Sequence, residues 1–543
     1  VEMFNNGGFD SEFHKNNVKP KDPVEKTPAN SFRKLFKNFA SDTSFGGISK
    51  ATLSDGHIRR FIWTLISATC YGFTIYMCYL LIKTYLEKPI KTAVDISYEK
   101  NIDFPSVTVC NLNQFRMREI RKVPDIGDIL RDYFDDKRNK SDGSNFEMSV
   151  SKQTKAFKKE FNNDFDDGDG EDIDDSEISL DEDVVVDELI AIAASDYTHD
   201  ELRQVGHQFH DMILSCSWKG FDCMSGYFLK FWTTSWNWKY GNCFTFNPGA
   251  NETGHRLPVF RTSKPGPNYG LAIEMNIEQD QYMEGLTEEA GVNVIIHNAK
   301  QMPFPYDEGI TVPPGFSSSI AMRKESITRV DPFNNGSCHS LTTLSTDNIY
   351  RNFMNGAANR YSVKACMESC LASAQLKKCS CADAKYSGYV DKICSEEDEL
   401  ECLNSVHSLF KDDKLGCNER CPQPCEHNSF RFTVRMSTLT SKEKESKKKK
   451  GFGGKNDTDF DFDENFLRVK IFYDELNLQK IVQSTYYDIQ TLLGDIGGQM
   501  GLWIGISVIS VFEFCELLIS LCLVAARKSR DRKKTKTAEI EMH

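Results

Sequence analysis

The stretch from Leu492 to Ala526 reads LLGDIGGQMGLWIGISVISVFEFCELLISLCLVAA and decides the fold. It is apolar and long enough to cross a bilayer as a helix, yet it contains several glycines and two glutamates. On a helix these residues recur at steps of three or four and therefore share one face. This face, called here the glycine–glutamate stripe, consists of Gly494, Gly498, Gly501, Gly505, Ile509, Glu513 and Glu516.

The stripe predicts that this helix lines a pore. Glycine has a low helix propensity and a carboxylate is costly in hydrocarbon, so both need a partner helix or water on that face. The alternative is a packing seam of small residues, which the glycines alone would fit. Two carboxylates one turn apart favour the pore, because a packing seam gains nothing from them. The opposite face, with Leu502, Trp503 and Val508, suits lipid.

A second apolar run extends from Phe61 to Ile82. As a helix it would be about 33 Å long, close to the thickness of one bilayer core. It lies far from the first residue and lacks a small-residue cleavage site, which argues against a signal peptide. We therefore expect a membrane protein with two transmembrane helices, at 61–82 and 491–526, and a large segment, 83–490, between them.

The flanking charges predict the orientation of the two helices. The net charge is +3 over residues 1–60 (10 basic, 7 acidic) and +4 over 527–543 (7 basic, 3 acidic). Because the whole chain has a net charge of −13, the residues between these two segments carry a net charge of −20. Basic flanks favour a cytoplasmic location for both 1–60 and 527–543. An acidic segment outside the membrane supports a cation channel, although it would also aid solubility.

The cysteines support an extracellular middle segment. Of 18 cysteines, four lie in the apolar runs and the other 14 lie between them. An even number with none in the tails is typical of an oxidising compartment. Ten of the 14 fall between Cys338 and Cys425, where a disulfide ladder is favoured over a zinc cluster, because paired CxxC or histidine ligands at suitable spacing are missing. The same segment holds all four glycosylation sequons, at Asn139, Asn251, Asn335 and Asn456.

The middle segment is expected to have an α+β fold. Ser106–Val109 and Val292–His297 are rich in β-branched residues and predict strands, whereas Thr346–Leu376 predicts helices. The acidic run Asp164–Glu188 lacks the spacing of an EF-hand loop and is interpreted as a solvated loop, with a cation or ligand site as the alternative. The tryptophans at 218, 232, 236 and 238 are interpreted as core or subunit contacts rather than a ligand cage.

Enzyme signatures are missing from the sequence. It contains no GxSxG, HExxH, Walker or dinucleotide-binding motif, and its histidines are scattered without a partner pattern. We therefore expect no enzyme activity, no metal, no cofactor and no nucleic-acid partner.

Several motifs resemble one family. The stretch LGDIGGQMGL at Leu493–Leu502, followed by WIGISVISVFE, resembles the second membrane segment of the degenerin/epithelial sodium channel family, which includes the acid-sensing channels. Three further stretches are similar: FPSVTVCNLNQFR at Phe104–Arg116, GNCFTFN at Gly241–Asn247 and GITVPPGF at Gly309–Phe316. The CPQPC motif is also shared, and the resemblance runs from the first apolar segment to the second.

The resemblance implies a plasma-membrane homotrimer whose second transmembrane helices line a sodium-selective, amiloride-blockable pore. It assigns the selectivity filter to Gly505, Ile506 and Ser507, the gate to Asp495 and Gly498, and lower acidic rings to Glu513 and Glu516. Of these, Asp495, Ile506 and Ser507 lie off the stripe. We therefore expect a break in the helix near 505–507, which would expose backbone carbonyls to sodium.

The resemblance also implies a set of disulfides that the sequence alone leaves open. The implied pairs are Cys110–Cys243, Cys216–Cys223, Cys338–Cys425, Cys366–Cys421, Cys370–Cys417, Cys379–Cys402 and Cys381–Cys394.

The stimulus that opens the channel is predicted from positions where this sequence departs from the family pattern. Many members carry a His-Gly gating motif before the first span, but here the place reads Phe45-Gly46-Gly47-Ile48, so Gly47 is kept and the histidine is absent. The histidine pair of acid-sensing channels is also missing from TYLEKPIKT at Thr84–Thr92. Both departures disfavour proton gating.

The amino-acid sequence of the second span and the acidic, aromatic middle segment are most similar to those of the invertebrate FMRFamide-gated sodium channels. That likeness implies an amidated neuropeptide agonist, whose arginine the acids of Asp164–Glu188 would attract. The alternatives are a proton- or force-gated sodium channel and, in another class, a non-conducting two-pass receptor or adhesion protein.

Overall fold

The structure, a computed structural model, describes residues 35, 38–41, 43, 46–54, 56–140, 182–283, 287–333, 338–340, 342–449 and 461–540. The chain divides into two compact units. The first, called the helical unit, comprises Val1–Pro89 and Thr485–His543, and the second, called the sheet unit, comprises Ile90–Ser484.

The elements are numbered in chain order. The α-helices are α1 (Ile48–Leu53), α2 (His57–Glu87), α3 (Pro124–Lys140), α4 (Glu182–Ala194), α5 (His199–Val205), α6 (Phe209–Met212), α7 (Pro305–Glu308), α8 (Val363–Cys379), α9 (Glu397–Lys411), α10 (Cys417–Arg420), α11 (Ser441–Lys449), α12 (Phe462–Asn465), α13 (Ile489–Ile504) and α14 (Val508–Ile540). The strands are β1 (Ile90–Tyr98), β2 (Ile102–Asp103), β3 (Ser106–Asn111), β4 (Ile213–Trp218), β5 (Phe221–Asp222), β6 (Trp232–Asn237), β7 (Gly241–Phe246), β8 (Arg261–Thr262), β9 (Leu271–Asn276), β10 (Val292–His297), β11 (Ile310–Val312), β12 (Phe316–Thr328), β13 (Glu426–Thr438) and β14 (Phe466–Thr485).

Among the described residues of the helical unit, two helices are long and apolar enough to cross a membrane, α2 and the Val508–Ala526 part of α14. Helix α2 is longer than the apolar run 61–82, and it ends where Lys88 adopts a left-handed conformation before Pro89. A residue before proline is disfavoured in the α-region, which explains this end. Helix α13 begins at the N-cap Asp488, whose carboxylate accepts the Thr491 N–H at 2.8 Å.

The sheet unit is built on two larger sheets and one strand pair. One sheet has the order β13-β12-β14-β9-β4-β5, with β1 also paired to β14, and the other has the order β11-β10-β3-β7-β6. The strands β12 and β14 are parallel, while β12 and β13 are antiparallel. Strands from both sheets contribute to one buried apolar cluster, which includes Val109, Ile273, Val294 and Val469.

The structure contains strands at both predicted positions. Strand β3 extends the predicted Ser106–Val109 to Asn111, and β10 covers the predicted range and pairs antiparallel with β3. All six residues of β3 are buried, including Ser106 and Thr108, whose hydroxyls are hydrogen-bonded. The predicted helical segment Thr346–Leu376 contains a 3₁₀ helix at Ile349–Gly356 and most of α8.

Disulfides join helix α8 to α9 and to α10, and another disulfide links two neighbouring strands. Cys110 of β3 lies directly opposite Cys243 of β7, with 4.4 Å between their Cα atoms. The bonded pairs, which are those that the resemblance implies, are Cys110–Cys243, Cys216–Cys223, Cys338–Cys425, Cys366–Cys421, Cys370–Cys417, Cys379–Cys402 and Cys381–Cys394. Because α8 and α10 are short of large apolar side chains, these bonds supply much of the cross-linking there.

Candidate functional site

The long apolar stretch at the end of the chain is two helices rather than one. Helix α13 ends at Ile504, Gly505 adopts the left-handed conformation (φ 67°, ψ 22°), and α14 begins at Val508. Glycine takes this conformation without the penalty of a Cβ atom and commonly ends helices in this way. At the start of α14, the Ser510 N–H donates to the Ser507 hydroxyl at 3.4 Å, as at an N-cap. The sequence Gly-Ile-Ser thus contains a helix stop, one linking residue and a helix start.

The interruption leaves backbone groups at the end of α13 without helical partners. The carbonyl of Met500 accepts N–H groups from Gly505 and from Ile506, the latter at 3.2 Å. The carbonyl of Ile504 accepts the N–H of Gly46 at 2.8 Å, so a segment before the first apolar helix contacts the interruption.

Two consecutive glycines permit this contact. A Cβ atom on Gly46 would lie 2.7 Å from the Ile504 carbonyl oxygen. A Cβ atom on Gly47, whose φ is 84°, would lie 2.1 Å from the Ser67 hydroxyl. In this arrangement position 46 has no room for the histidine of the His-Gly motif, and Gly47 has both a steric and a conformational reason to be glycine.

The interruption, which lies where a break was expected, divides the glycine–glutamate stripe between two helices. The glycines of the stripe lie on α13 and at its C-cap, whereas Ile509, Glu513 and Glu516 lie on α14. Within the single chain the glycines, Ile509 and Glu516 are exposed, and Glu513 is half-buried. Thr43, another residue of the segment before α1, donates its hydroxyl to the Glu513 carboxylate at 3.1 Å.

Two other expectations for the second apolar segment are refined by the structure. The predicted gate residue Asp495 is exposed, as is Gly498, and its carboxylate accepts the hydroxyl of Tyr487 at 2.5 Å. Trp503, assigned to a lipid-facing side, packs edge-on against Phe73 of α2, with 4.5 Å between the ring centroids. Tyr487, Thr43 and Gly46 were not identified from the sequence, because their partners lie outside the three- or four-residue helical spacing.

The remaining predicted sites are only partly described. Asn251 is half-buried, and its side-chain oxygen accepts the His255 N–H at 2.7 Å. Asn139 is within α3, but its side chain, like the residues Asn335 and Asn456, lies outside the described part of the chain, as do Phe45 and most of the acidic run 164–188. In the described ranges, the one grouping of potential metal ligands contains Cys381 and Cys394, which are disulfide-bonded and offer no thiolate.

A cavity of about 210 Å³ lies inside the sheet unit. It is lined by residues from the end of β6, from the segment leading into α7 and from α8, among them Trp238, Tyr306 and Lys364. The tryptophan prediction holds for Trp218 and Trp236, which are buried, whereas Trp238 is half-buried on the cavity wall.

Burial lowers the pKa of several histidines in the sheet unit. His297 is fully enclosed, and burial lowers its pKa to about 4, although backbone carbonyls oppose the shift. Burial also lowers the pKa of His207 and outweighs the opposing effect of Glu278, whose carboxylate lies 2.9 Å from its Nδ1. Burial therefore disfavours the charged form of both imidazoles.

Comparison with known proteins identifies the family. The family model described as amiloride-sensitive sodium channel matches residues 39–517. Acid-sensing ion channel 1C of Danio rerio is 29% identical over 497 residues, which are 88% of this chain and 82% of that protein. Epithelial sodium channel subunit gamma of Pan troglodytes is 26% identical over 538 residues, 95% of this chain and 85% of that protein. Since the family model covers most of its length, the chain belongs to the amiloride-sensitive sodium channel family.

Proposed function

We propose that the chain forms a sodium-selective, amiloride-blocked channel of the plasma membrane that is opened by an FMRFamide-type neuropeptide. The main observation behind this proposal is the helix interruption at Gly505–Ser507, within the second apolar segment of a member of a sodium channel family. In this proposal 61–82 and 491–526 span the membrane, 83–490 is extracellular and glycosylated, and 1–60 and 527–543 are cytoplasmic. Three copies assemble around one pore.

The proposed pore has three levels. Asp495 and Gly498 form the gate, Gly505 to Ser507 form the filter, and Glu513 and Glu516 form acidic rings below it. Backbone carbonyls released by a broken helix can replace the hydration shell of a cation, and carboxylate rings raise the local cation concentration.

Peptide gating is favoured by the environment of the histidines. Position 46, where the family's gating histidine stands, has no space for a side chain in the observed arrangement. Burial also lowers the pKa of His199, His407 and His427, as it does for the two histidines described above. Burial thus disfavours the charged form of these histidines, whereas a cavity lined in part by aromatic residues offers a place for part of a peptide.

Proton gating is the second candidate. It is favoured by the similarity to acid-sensing ion channel 1C and by the buried pair of His207 and Glu278, which would gain a full ion pair if the imidazole were protonated. In this case the same pore would open when the extracellular pH falls.

Whole-cell recording in one batch of oocytes tests both candidates. FMRFamide, acid pH and shear are applied in turn, each with and without amiloride. An amiloride-blocked sodium current with FMRFamide alone supports the proposal, and one with acid alone replaces it by proton gating. If no stimulus evokes current in cells with verified surface protein, the chain acts as a non-conducting receptor.

Glu513→Gln tests the pore assignment. If this carboxylate lines the ion path, the variant is expected to have a lower unitary conductance or a weaker sodium preference, because the neutral amide attracts cations less. Asp128→Asn, which neutralises an exposed acid of the sheet unit, is the matched control. A wild-type unitary current in the Glu513 variant would reject the role.

A further inference from the structure

Six of the sixteen residues that line the cavity of the sheet unit are Trp, Phe or Tyr. Trp238 and Tyr306 pack together with 5.7 Å between ring centroids, and Tyr306 is 60% exposed, so this pair stands at the mouth. Deeper in the unit, Phe304 lies edge-on to the buried Tyr350 at 5.5 Å, and Tyr350 packs on Tyr389 at 4.8 Å. Offset and edge-on arrangements of this kind leave ring faces and edges available to a further aromatic group.

One edge of the cavity is polar and electrically balanced. The ammonium of Lys364 lies 3.0 Å from Asp307 and 2.9 Å from Glu368, and Lys385 lies 3.1 Å from the other oxygen of Glu368. Two cations and two carboxylates therefore cancel. Asp307 and Lys364 are the more accessible pair, with side chains 36% and 30% exposed.

The size of the cavity restricts what can enter. Pockets that enclose drug-sized ligands begin at about 300 Å³, so about 210 Å³ admits only part of a tetrapeptide. The aromatic residues of the wall can contact a planar apolar ring, and the Trp238–Tyr306 pair lies where this space opens to solvent.

The polar edge distinguishes between end groups of a peptide. A primary carboxamide both donates and accepts hydrogen bonds, so its oxygen can accept from Lys364 while its NH₂ donates to Asp307. A free carboxylate only accepts, and it would bring a third negative charge beside Asp307 and Glu368. The balanced edge thus favours a neutral amide.

We infer that this cavity binds the C-terminal aromatic residue of an amidated peptide, with the ring packed against Trp238 and Tyr306 and the carboxamide at the Lys364–Asp307 pair. The inference rests on the proposed peptide gating and adds a location and a chemical class to it. The agonist must then carry an aromatic ring next to a terminal amide, and the remainder of the peptide lies outside the cavity.

The test is a concentration–response series with FMRFamide on Trp238→Ala and Tyr306→Ala channels. Each variant is expected to raise the half-maximal concentration at least tenfold while the maximal amiloride-blocked current is retained. Tyr306→Phe keeps the ring and is expected to respond like the wild type. Tyr227→Ala is the matched control, because Tyr227 is a tyrosine of the same unit with a similar exposure of 64%.

Peptide variants locate the contact. Replacing the C-terminal phenylalanine of FMRFamide by alanine should weaken the response of the wild type at least tenfold but change that of Tyr306→Ala little further, because the partner ring is already gone. The free-acid form of the peptide is expected to be at least tenfold weaker than the amide on the wild type. Full additivity of the two alanine changes, or equal potency of acid and amide, would overturn the assignment.

A binding measurement separates this inference from the gating proposal. Fluorescent FMRFamide is titrated onto purified wild-type protein and onto Tyr306→Ala protein of equal thermal stability. If the peptide binds the wild type but not the variant, and FMRFamide fails to open the wild-type channel, the cavity assignment stands and peptide gating is refuted. Opening of the wild type with unchanged half-maximal concentrations in both cavity variants would refute the cavity alone.

Discussion

Replacing Gly505 by alanine tests whether the interruption between α13 and α14 depends on a left-handed residue. The φ of 67° is open to glycine, but it places the Cβ atom of an L-residue close to the carbonyl oxygen that follows. No other clash is expected, since the nearest atoms to an added Cβ are the N and Cα of Gly46 at 3.9 and 4.0 Å. The substitution therefore acts mainly on the conformational energy of the backbone at position 505.

The magnitude follows from the conformational penalty. An L-residue in the left-handed region costs about 1–2 kcal/mol, which shifts a local equilibrium by roughly 5- to 30-fold. Alanine also has the highest helix propensity, so the strained residue is drawn toward a continuous helix. If three copies form the pore, the penalty applies three times. Asparagine adopts the left-handed conformation more readily than alanine, so the expected order of disturbance is glycine, asparagine, alanine.

The assay is the reversal potential of the amiloride-blocked current with sodium on one side of the membrane and potassium on the other, together with the unitary conductance. Gly505→Ala is expected to reduce sodium preference or conductance, and Gly505→Asn to have an intermediate effect. Gly72→Ala in α2, where no neighbouring atom lies within 4 Å of an added Cβ, serves as control. Wild-type selectivity and conductance in Gly505→Ala at equal surface expression would refute the reasoning.

Two predictions concern the stability of the sheet unit. Replacing both cysteines of Cys110–Cys243 by serine should lower the melting temperature more than the same change at Cys381–Cys394, because the closed loops differ in sequence separation, 133 against 13, while all four cysteines are buried. Loop entropy places the difference at about 2 kcal/mol, and equal melting temperatures would contradict it. For Glu368, burial alone would raise the pKa, but Lys385, Tyr386 and Lys364 outweigh it and hold the pKa at about 2. This carboxylate therefore stabilises the fold above its unfolded pKa of about 4.3, by about 3 kcal/mol, and the contribution is lost as the pH falls toward 2. Thermal unfolding of Glu368→Gln should show a deficit at pH 7 that shrinks below pH 4, and a deficit that is constant with pH would count against the ion pairs.

The properties of individual residues explain why the position of the interruption could be predicted from the sequence. Gly505 can end a helix and Ser507 can begin one, and both properties belong to the residues themselves. Strands β3 and β10 could be predicted for a related reason, because short runs of β-branched residues fit strands that are buried on both faces of a sheet.

Contacts between distant parts of the chain could not be predicted from the residues. Thr43 and Glu513 are 470 positions apart, and no spacing rule joins them. Strand β12 carries FSSSIAMRKESIT, which lacks a clear alternation of polar and apolar residues, and its neighbours β13 and β14 come from segments about 100 or more positions away. The charged run Ser441–Lys449 forms α11, where Glu443 pairs with Arg468 at 3.0 Å, a contact that no spacing rule predicts.

The pairing of β1 with β14 has a consequence for exchange of the sheet unit. The chain enters the sheet unit along β1 and leaves it along β14, and the two strands are hydrogen-bonded neighbours, with the Glu99 N–H donating to the Leu476 carbonyl at 3.0 Å. Next to them, the Tyr486 N–H donates to the Pro89 carbonyl at 2.7 Å. A domain whose ends lie side by side can be inserted into, or exchanged within, a helical hairpin without stretching either connection. Pro89 and Thr485 are thus positions at which the sheet unit could be exchanged while the helical unit is kept.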